Sequence, residues 1–175
     1  MNEYEFTLKF NLHNHHIDPN DCIDRLYEGG CDDALIGIGK KGYISLDFVR
    51  SSSSAYEAIS SAITNVKGAI PTATLIEAMP DLVGLTDTAK ILGCTRQNIR
   101  NLIFKSGSGS PLPIYEGTPS IWHLAEILIW LQEEKTYSID KSLLEIAKTN
   151  MDFNIMRNWQ KIEPYIREEI EALVR

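Results

Sequence analysis

The sequence predicts an α+β protein. Two observations carry this: strand and helix signals alternate over the first eighty residues, and beyond residue 80 the chain reads as helical. One stretch rich in glycine, serine and proline, Ser106 to Ser120, interrupts the helical part. A length of 175 residues suits one large domain or two small ones, and Met79-Pro80-Asp81 marks the boundary. The expected division is 1–80, 81–135, and a helical extension over 136–175.

Tyr4, Phe6, Leu8, Phe10 and Leu12 alternate with mostly polar neighbours, which gives a strand one apolar face. Asp18-Pro19 reads as an N-cap followed by proline at the first helical position. Cys22, Ile23 and Leu26 then recur at helical spacing until Gly29-Gly30 stops the helix. Ala34 to Ile38 and Tyr43 to Val49 read as two strands of a hairpin turning at Gly39-Lys40-Lys41-Gly42. The serine run Ser51–Ser54 opens a helix, because Ala55, Ile59, Ala62, Ile63 and Val66 follow on one face, and Gly68 ends it. Ala73 to Met79 supplies a last strand. Strand, helix, strand, strand, helix, strand is the split βαβ order of ferredoxin-like domains, an architecture that by itself carries little functional information.

Composition narrows the class. Hydrophobic residues make up 43% and charged residues 23%, which excludes wholesale disorder. No apolar run approaches the roughly 18 residues of a membrane helix. The start, Met-Asn-Glu-Tyr-Glu-Phe, lacks the basic-then-apolar order of a signal peptide, so a cytoplasmic location is expected. Cys22, Cys31 and Cys94 are odd in number and form no Cys-x-x-Cys pair; reduced thiols fit better than a disulfide framework or a zinc ribbon.

The most informative stretch runs from Leu85 to Phe104. Thr86 can cap a short helix, Ala89 lets two helices approach closely, and Gly93 four residues later suits a positive-φ turn. Thr95 is a natural cap for a second helix whose buried stripe is Ile99, Leu102 and Ile103. Small, turn and apolar residues at these offsets predict a helix-turn-helix. Opposite Ile99 lie Gln97, Arg100 and Asn101, flanked by Arg96, Asn98 and Lys105. Arginine can bridge guanine O6 and N7, and Asn or Gln can bridge adenine N6 and N7. Thr95, Arg96, Gln97, Asn98, Arg100, Asn101 and Lys105 are therefore the expected DNA-binding residues.

Leu112 to Trp122 has the look of a short hairpin, and a helix follows with Leu124, Ile127, Leu128 and Leu131 on one face and Trp130 beside them. The pattern Leu-Thr-x-x-Ala-x-x-Leu-Gly-x-Thr-Arg-Gln-x-Ile-x-x-Leu over Leu85–Leu102, with this hairpin and helix behind it, resembles the winged helix-turn-helix of MerR-type regulators and phage excisionase-like proteins. The resemblance covers residues 81–134. It implies a recognition helix in the major groove and a wing against the DNA backbone. The only charged residue from Ser106 to Trp122 is Glu116. Wing contacts to phosphate then fall to backbone amides and to Ser106, Ser108, Ser110, Thr118 and Ser120, with Lys105 at the base.

Charge pulls the other way. The net charge is −7, whereas nucleic-acid binders usually carry a basic footprint. Residues 1–80 hold 6 basic and 11 acidic side chains, a net of −5, while residues 81–135 hold 5 and 6, a net of −1. The acidity is thus concentrated away from the reading head, and counter-ion release contributes modestly.

Other constellations are weaker. His13-Asn14-His15-His16, with Asp18 or Asp21, invites a metal site, but no second ligand cluster follows and a polar loop is the better reading. Asp32-Asp33 reads as a capped or solvated turn. No Gly-x-Ser-x-Gly, Walker loop, His-Glu-x-x-His or dinucleotide fingerprint is present, so neither an enzyme nor a cofactor is expected. Ile155, Trp159, Ile162, Ile166, Ile170 and Leu173 recur at three- and four-residue steps, broken by Pro164, which starts a new helix. That stripe is either internal core or a dimer interface. The expectation is a sequence-specific DNA-binding protein, a bacterial or phage-type transcriptional regulator acting as a homodimer on double-stranded DNA. Its N-terminal domain would serve dimerisation, partner binding or ligand sensing. The alternative is a protein-interaction adaptor, antitoxin-like, that uses the helix-turn-helix scaffold without DNA.

Overall fold

A computed structural model of the chain describes residues 1–13, 19–38, 41–105, 109–135 and 137–174. Asn14–Asp18, Gly39, Lys40, Ser106 and Ser108 lie outside them, so the expectations of an N-cap at Asp18 and of His15 and His16 as ligands concern residues that are not described.

Strand β1 (Asn2–Asn11) alternates as its sequence requires, with Tyr4, Phe6, Leu8 and Phe10 buried and Glu3 and Glu5 exposed. It is central in a four-stranded antiparallel sheet with β2 (Ala34–Ile38), β3 (Tyr43–Ser52) and β4 (Thr74–Met79), in the order β2-β3-β1-β4. Phe6 lies opposite Phe48 and Leu8 opposite Leu46, so the apolar faces coincide. The Phe6 and Phe48 rings stack with centroids 5.2 Å apart. Helices α1 (Ile23–Glu28) and α2 (Ala55–Ala69) cover this face. Ala55, Ala58 and Ala62 are all buried beside Ile59 and Val66, and their small side chains bring α2 close to the strands. Each fully buried Leu, Ile or Phe here contributes about 1.5–3 kcal/mol.

Three local expectations are corrected. The serine run is divided: Ser51 and Ser52 finish β3, and only Ser54 caps α2, accepting from the Glu57 amide at 3.2 Å. Gly68 does not end α2, which runs on to Ala69. Asp33 is not merely a turn residue. Arg50 grips its carboxylate through Nε at 2.6 Å and Nη2 at 2.8 Å, and the same Nη2 reaches the Gly30 carbonyl at 2.8 Å.

The second part of the chain packs around its own core. Strands β5 (Leu82–Val83) and β6 (Trp122–His123) pair antiparallel, and α3 (Leu85–Ile91), α4 (Arg96–Lys105) and α5 (Leu124–Glu134) gather Ala89, Ile99, Ile103, Trp122, Leu124, Ile127 and Leu128. Helix α6 (Lys141–Trp159) joins the two cores, with Ile146 in the first and Ala147 in the second. Asp140 caps it, accepting from the Leu143 amide at 2.8 Å. A 3-10 turn over Pro164–Ile166 leads to α7 (Arg167–Val174).

The C-terminal apolar stripe is not the buried face of this segment. Ile155 is half exposed and Leu173 is 85% exposed, while α6 buries Ile146, Ala147, Asn150 and Asn154. The reason lies in what α6 meets. Strand β4 is a sheet edge, and Asn154 serves it as a neighbouring strand would: Oδ1 accepts from the Ala78 amide at 3.0 Å, and Nδ2 donates to the Ala78 carbonyl at 2.8 Å. Asn150 Nδ2 donates to the Pro80 carbonyl at 3.1 Å. Polar side chains are buried here because open backbone groups must be satisfied.

Candidate nucleic-acid interface

Helix α3 starts at Leu85, with Gly84 at the N-cap, so Thr86 is an exposed first-turn residue and not the cap. The cap is built from Asp87, whose Oδ2 accepts from the Gly84 amide at 3.4 Å, while Thr88 Oγ1 donates to the Gly84 carbonyl at 2.9 Å. At the other end the Cys94 amide donates to Ala89 at 2.9 Å and the Gly93 amide to Lys90 at 3.2 Å. Gly93 has φ 63°. This pair of bonds around a left-handed glycine is the Schellman closure, which ends a helix sharply. The chain turns, Thr95 Oγ1 accepts from the Asn98 amide at 3.1 Å, and α4 begins.

Ile99 and Ile103 turn α4 inward, and its other faces carry the predicted readers. Thr95, Arg96, Gln97, Arg100 and Lys105 are exposed; Asn98 and Asn101 are partly buried. A four-residue spacing sorts them into two neighbouring stripes. Arg96, Arg100 and Phe104 form one, and all three line a groove of about 380 Å³ between α4 and residues 117–122. Gln97, Asn101 and Lys105 form the other, in which Gln97 Nε2 donates to Asn101 Oδ1 at 3.0 Å. The structure thus separates the arginines from the amides. Among the described residues no salt bridge engages Arg96, Arg100 or Lys105.

The expected hairpin is much reduced. It consists of one bridge, Tyr115 to Ile121, plus the β5–β6 pairing. Pro111, Pro113 and Pro119 remove three amide donors from this stretch, which limits a ladder. The loop is held instead by Trp122 Nε1 donating to the Pro111 carbonyl at 3.1 Å and by Ser120 Oγ donating to the Gly117 carbonyl at 3.1 Å. The Tyr115 ring lies directly over Gly117, where a Cβ would overlap it. Of the expected wing hydroxyls, Thr118 is exposed and Ser110 and Ser120 are partly buried.

Sequence reasoning missed Phe104, 61% exposed with its ring edge-on to Trp122 at 6.3 Å. It also missed the exposed Leu112, Ile114 and Tyr115. Large apolar residues on an otherwise polar helix face and in a loop were the available signal. His123 pairs through Nδ1 with Asp81 Oδ1 at 2.6 Å. His13 contacts Thr74 Oγ1 at 2.8 Å, and among the described residues no group of three or more His, Cys, Asp or Glu could hold a metal ion. Cys22 and Cys31 are buried, and burial pushes the Cys31 thiol up to about 11.

These elements define the chain as a mixed α+β protein in which an antiparallel sheet and a compact helical unit share one long helix. No protein-family model, curated protein or solved structure matches it. Among the described residues no helix is long and apolar enough to cross a membrane.

Proposed function

We propose that the protein binds DNA sequence-specifically and acts as a bacterial or phage-type transcriptional regulator, inserting α4 into the major groove. The observation that carries this reading is the outward face of α4: Arg96, Gln97 and Arg100 are exposed, and among the described residues no salt bridge engages either arginine, on a helix fixed by the Gly93 closure and the Thr95 cap. A helix about 10–12 Å across fits a major groove about 12 Å wide. The placement of α3, α4, the loop and α5 supports a winged helix-turn-helix of the MerR and excisionase type. The β2-β3-β1-β4 order supports a ferredoxin-like N-terminal domain. A homodimer would double the contacts of a weakly charged head and set a half-site spacing of about 34–36 Å.

Selection of sites from random duplexes, followed by gel-shift titration, tests the reading. Arg100→Ala weakens specific binding by about 1–3 kcal/mol with the fold intact. An unchanged affinity contradicts it. The adaptor reading is favoured by the exposed Phe104, Leu112, Ile114 and Tyr115, with Glu116 the single charge from Ser106 to Trp122. Failure of the selection to enrich any sequence would favour it.

A further inference from the structure

We propose that the cleft between β4, the base of the 111–121 loop and the end of α6 binds a small apolar carboxylate. The cleft measures about 490 Å³, within the size range of small-molecule sites, and shares no wall with the groove beside α4. Its apolar walls come from separate segments: Ile76 on β4, Leu82 on β5, Ile114 in the loop, and Ile155, Trp159 and Ile162 on and after α6. Leu82, Ile114 and Ile155 are each half exposed around this one hollow.

The charges select the ligand. The two carboxylates lining the cleft are already engaged: Glu77 pairs with Lys9 at 2.9 Å, and Asp81 with His123 at 2.6 Å and Asn154 at 2.8 Å. Of the two basic side chains lining the cleft, His123 is held by Asp81, and among the described residues no salt bridge engages Arg157. Its Nη2 donates to Asn158 Oδ1 at 3.0 Å, but its Nε is shut off from solvent with no acceptor. Arg50 shows how this chain satisfies the same fork, with Nε and Nη2 each on one oxygen of Asp33. A monocarboxylate with an apolar body would give the Arg157 guanidinium a counter-charge and cover the apolar walls. A phosphate would bring additional charge against Glu77 and Asp81.

The site is independent of DNA binding, because none of its walls belongs to α4. Titrating the full chain with 4-phenylbutyrate, octanoate, 4-phenylbutanol and 4-phenylbutylamine, read by tryptophan emission and thermal shift, tests it. Saturable binding of at least one carboxylate is expected, with phenylbutyrate or octanoate at least about tenfold tighter than the alcohol and the amine. Arg157→Gln lowers the carboxylate affinity at least about tenfold and leaves the alcohol unchanged. If that variant fails to fold by circular dichroism, Ile162→Glu at a partly exposed wall position removes carboxylate binding by repulsion. No saturable binding of either carboxylate, equal binding of all the probes, or carboxylate affinity unchanged in the folded variants overturns the proposal.

Discussion

Replacing Asn154 with alanine removes one amide that holds three partners at once. Its Nδ2 donates to the Ala78 carbonyl and to Asp81 Oδ2, both at 2.8 Å, and its Oδ1 accepts from the Ala78 amide at 3.0 Å. Asn154 is 5% exposed and Asp81 1%, so the three groups left behind lie largely out of solvent. A neutral hydrogen bond contributes about 0.5–1.5 kcal/mol, and a buried group left unpaired costs about 1–3 kcal/mol, more where it is charged. The His123 contact remains to Asp81, and the neighbouring cleft admits water to some of the freed groups, which keeps the sum well below the simple total. The expected loss is about 3 kcal/mol, a large share of the roughly 5–15 kcal/mol that stabilises a domain. Urea unfolding followed by circular dichroism measures it, with the midpoint lowered and thermal unfolding about 6–12 °C earlier. Asn154→Asp is the informative control. It keeps the acceptor for Ala78 but sets a second carboxylate beside Asp81, and at neutral pH it costs at least as much as alanine. A loss below about 1 kcal/mol for Asn154→Ala would refute the edge-capping role.

At Gly93, φ is 63° and a Cβ would meet nothing within 4 Å, so substitution costs backbone strain alone. Gly93→Ala is expected to cost about 1 kcal/mol and Gly93→Asn less, by thermal unfolding; equal costs would count against a left-handed turn. Stability falls under alkaline conditions. Burial raises the Cys31 thiol from 9.0 to about 11, and the hydrogen bond to Glu145, then burial, raises the Tyr4 hydroxyl above 10.0. The unfolded chain releases these protons first, so the stability they confer is complete below about pH 9 and is lost as pH climbs toward 11. Cys31→Ala should flatten the first part of that decline in urea midpoints measured across this range. For DNA, with Arg100 on a base, two phosphate contacts from Arg96 and Lys105 would give a slope of log affinity against log salt of about −2 per head. A slope near zero, or one near −10, would contradict the contact set.

Much of the framework was legible because it rests on local periodicity. Tyr4 to Phe10 alternate in sequence and in burial, and Ala55 to Val66 follow a helical stripe in both. The Thr95 cap and the Gly93 turn were readable for the same reason, since each depends on neighbours within a few residues. What was not legible depends on partners far apart in the chain. Arg50 finds Asp33 and Gly30 only once β3 lies beside the end of α1. Asn154 lies 76 residues from Ala78, and nothing in the pattern of α6 marks its asparagines as the buried side. The apolar stripe from Ile155 to Leu173 left core and interface open, because periodicity shows that residues share a face, not what the face meets. At the readers, helix period alone separates Arg96 and Arg100 from Gln97 and Asn101. That the arginine stripe faces the loop depends on how residues 117–122 fold back.

The same long-range contacts bear on how the proposed head would work. Its net charge of −1 offers DNA little non-specific attraction, so binding would depend on a few groups arriving together in one geometry. Geometry of that kind needs a rigid mount. The Gly93 closure fixes α4 to α3, the core around Ile99 and Leu128 fixes the pair to α5, and α6 ties this unit to the sheet through Asp81, Asn150 and Asn154. Asp81 is central to the tie. It holds His123 at the start of α5 and Asn154 on α6, and its own carbonyl accepts from the Leu124 amide at 2.7 Å. Anything that alters the packing around Asp81 therefore acts on the support of α5, and through Ile99 on the orientation of α4.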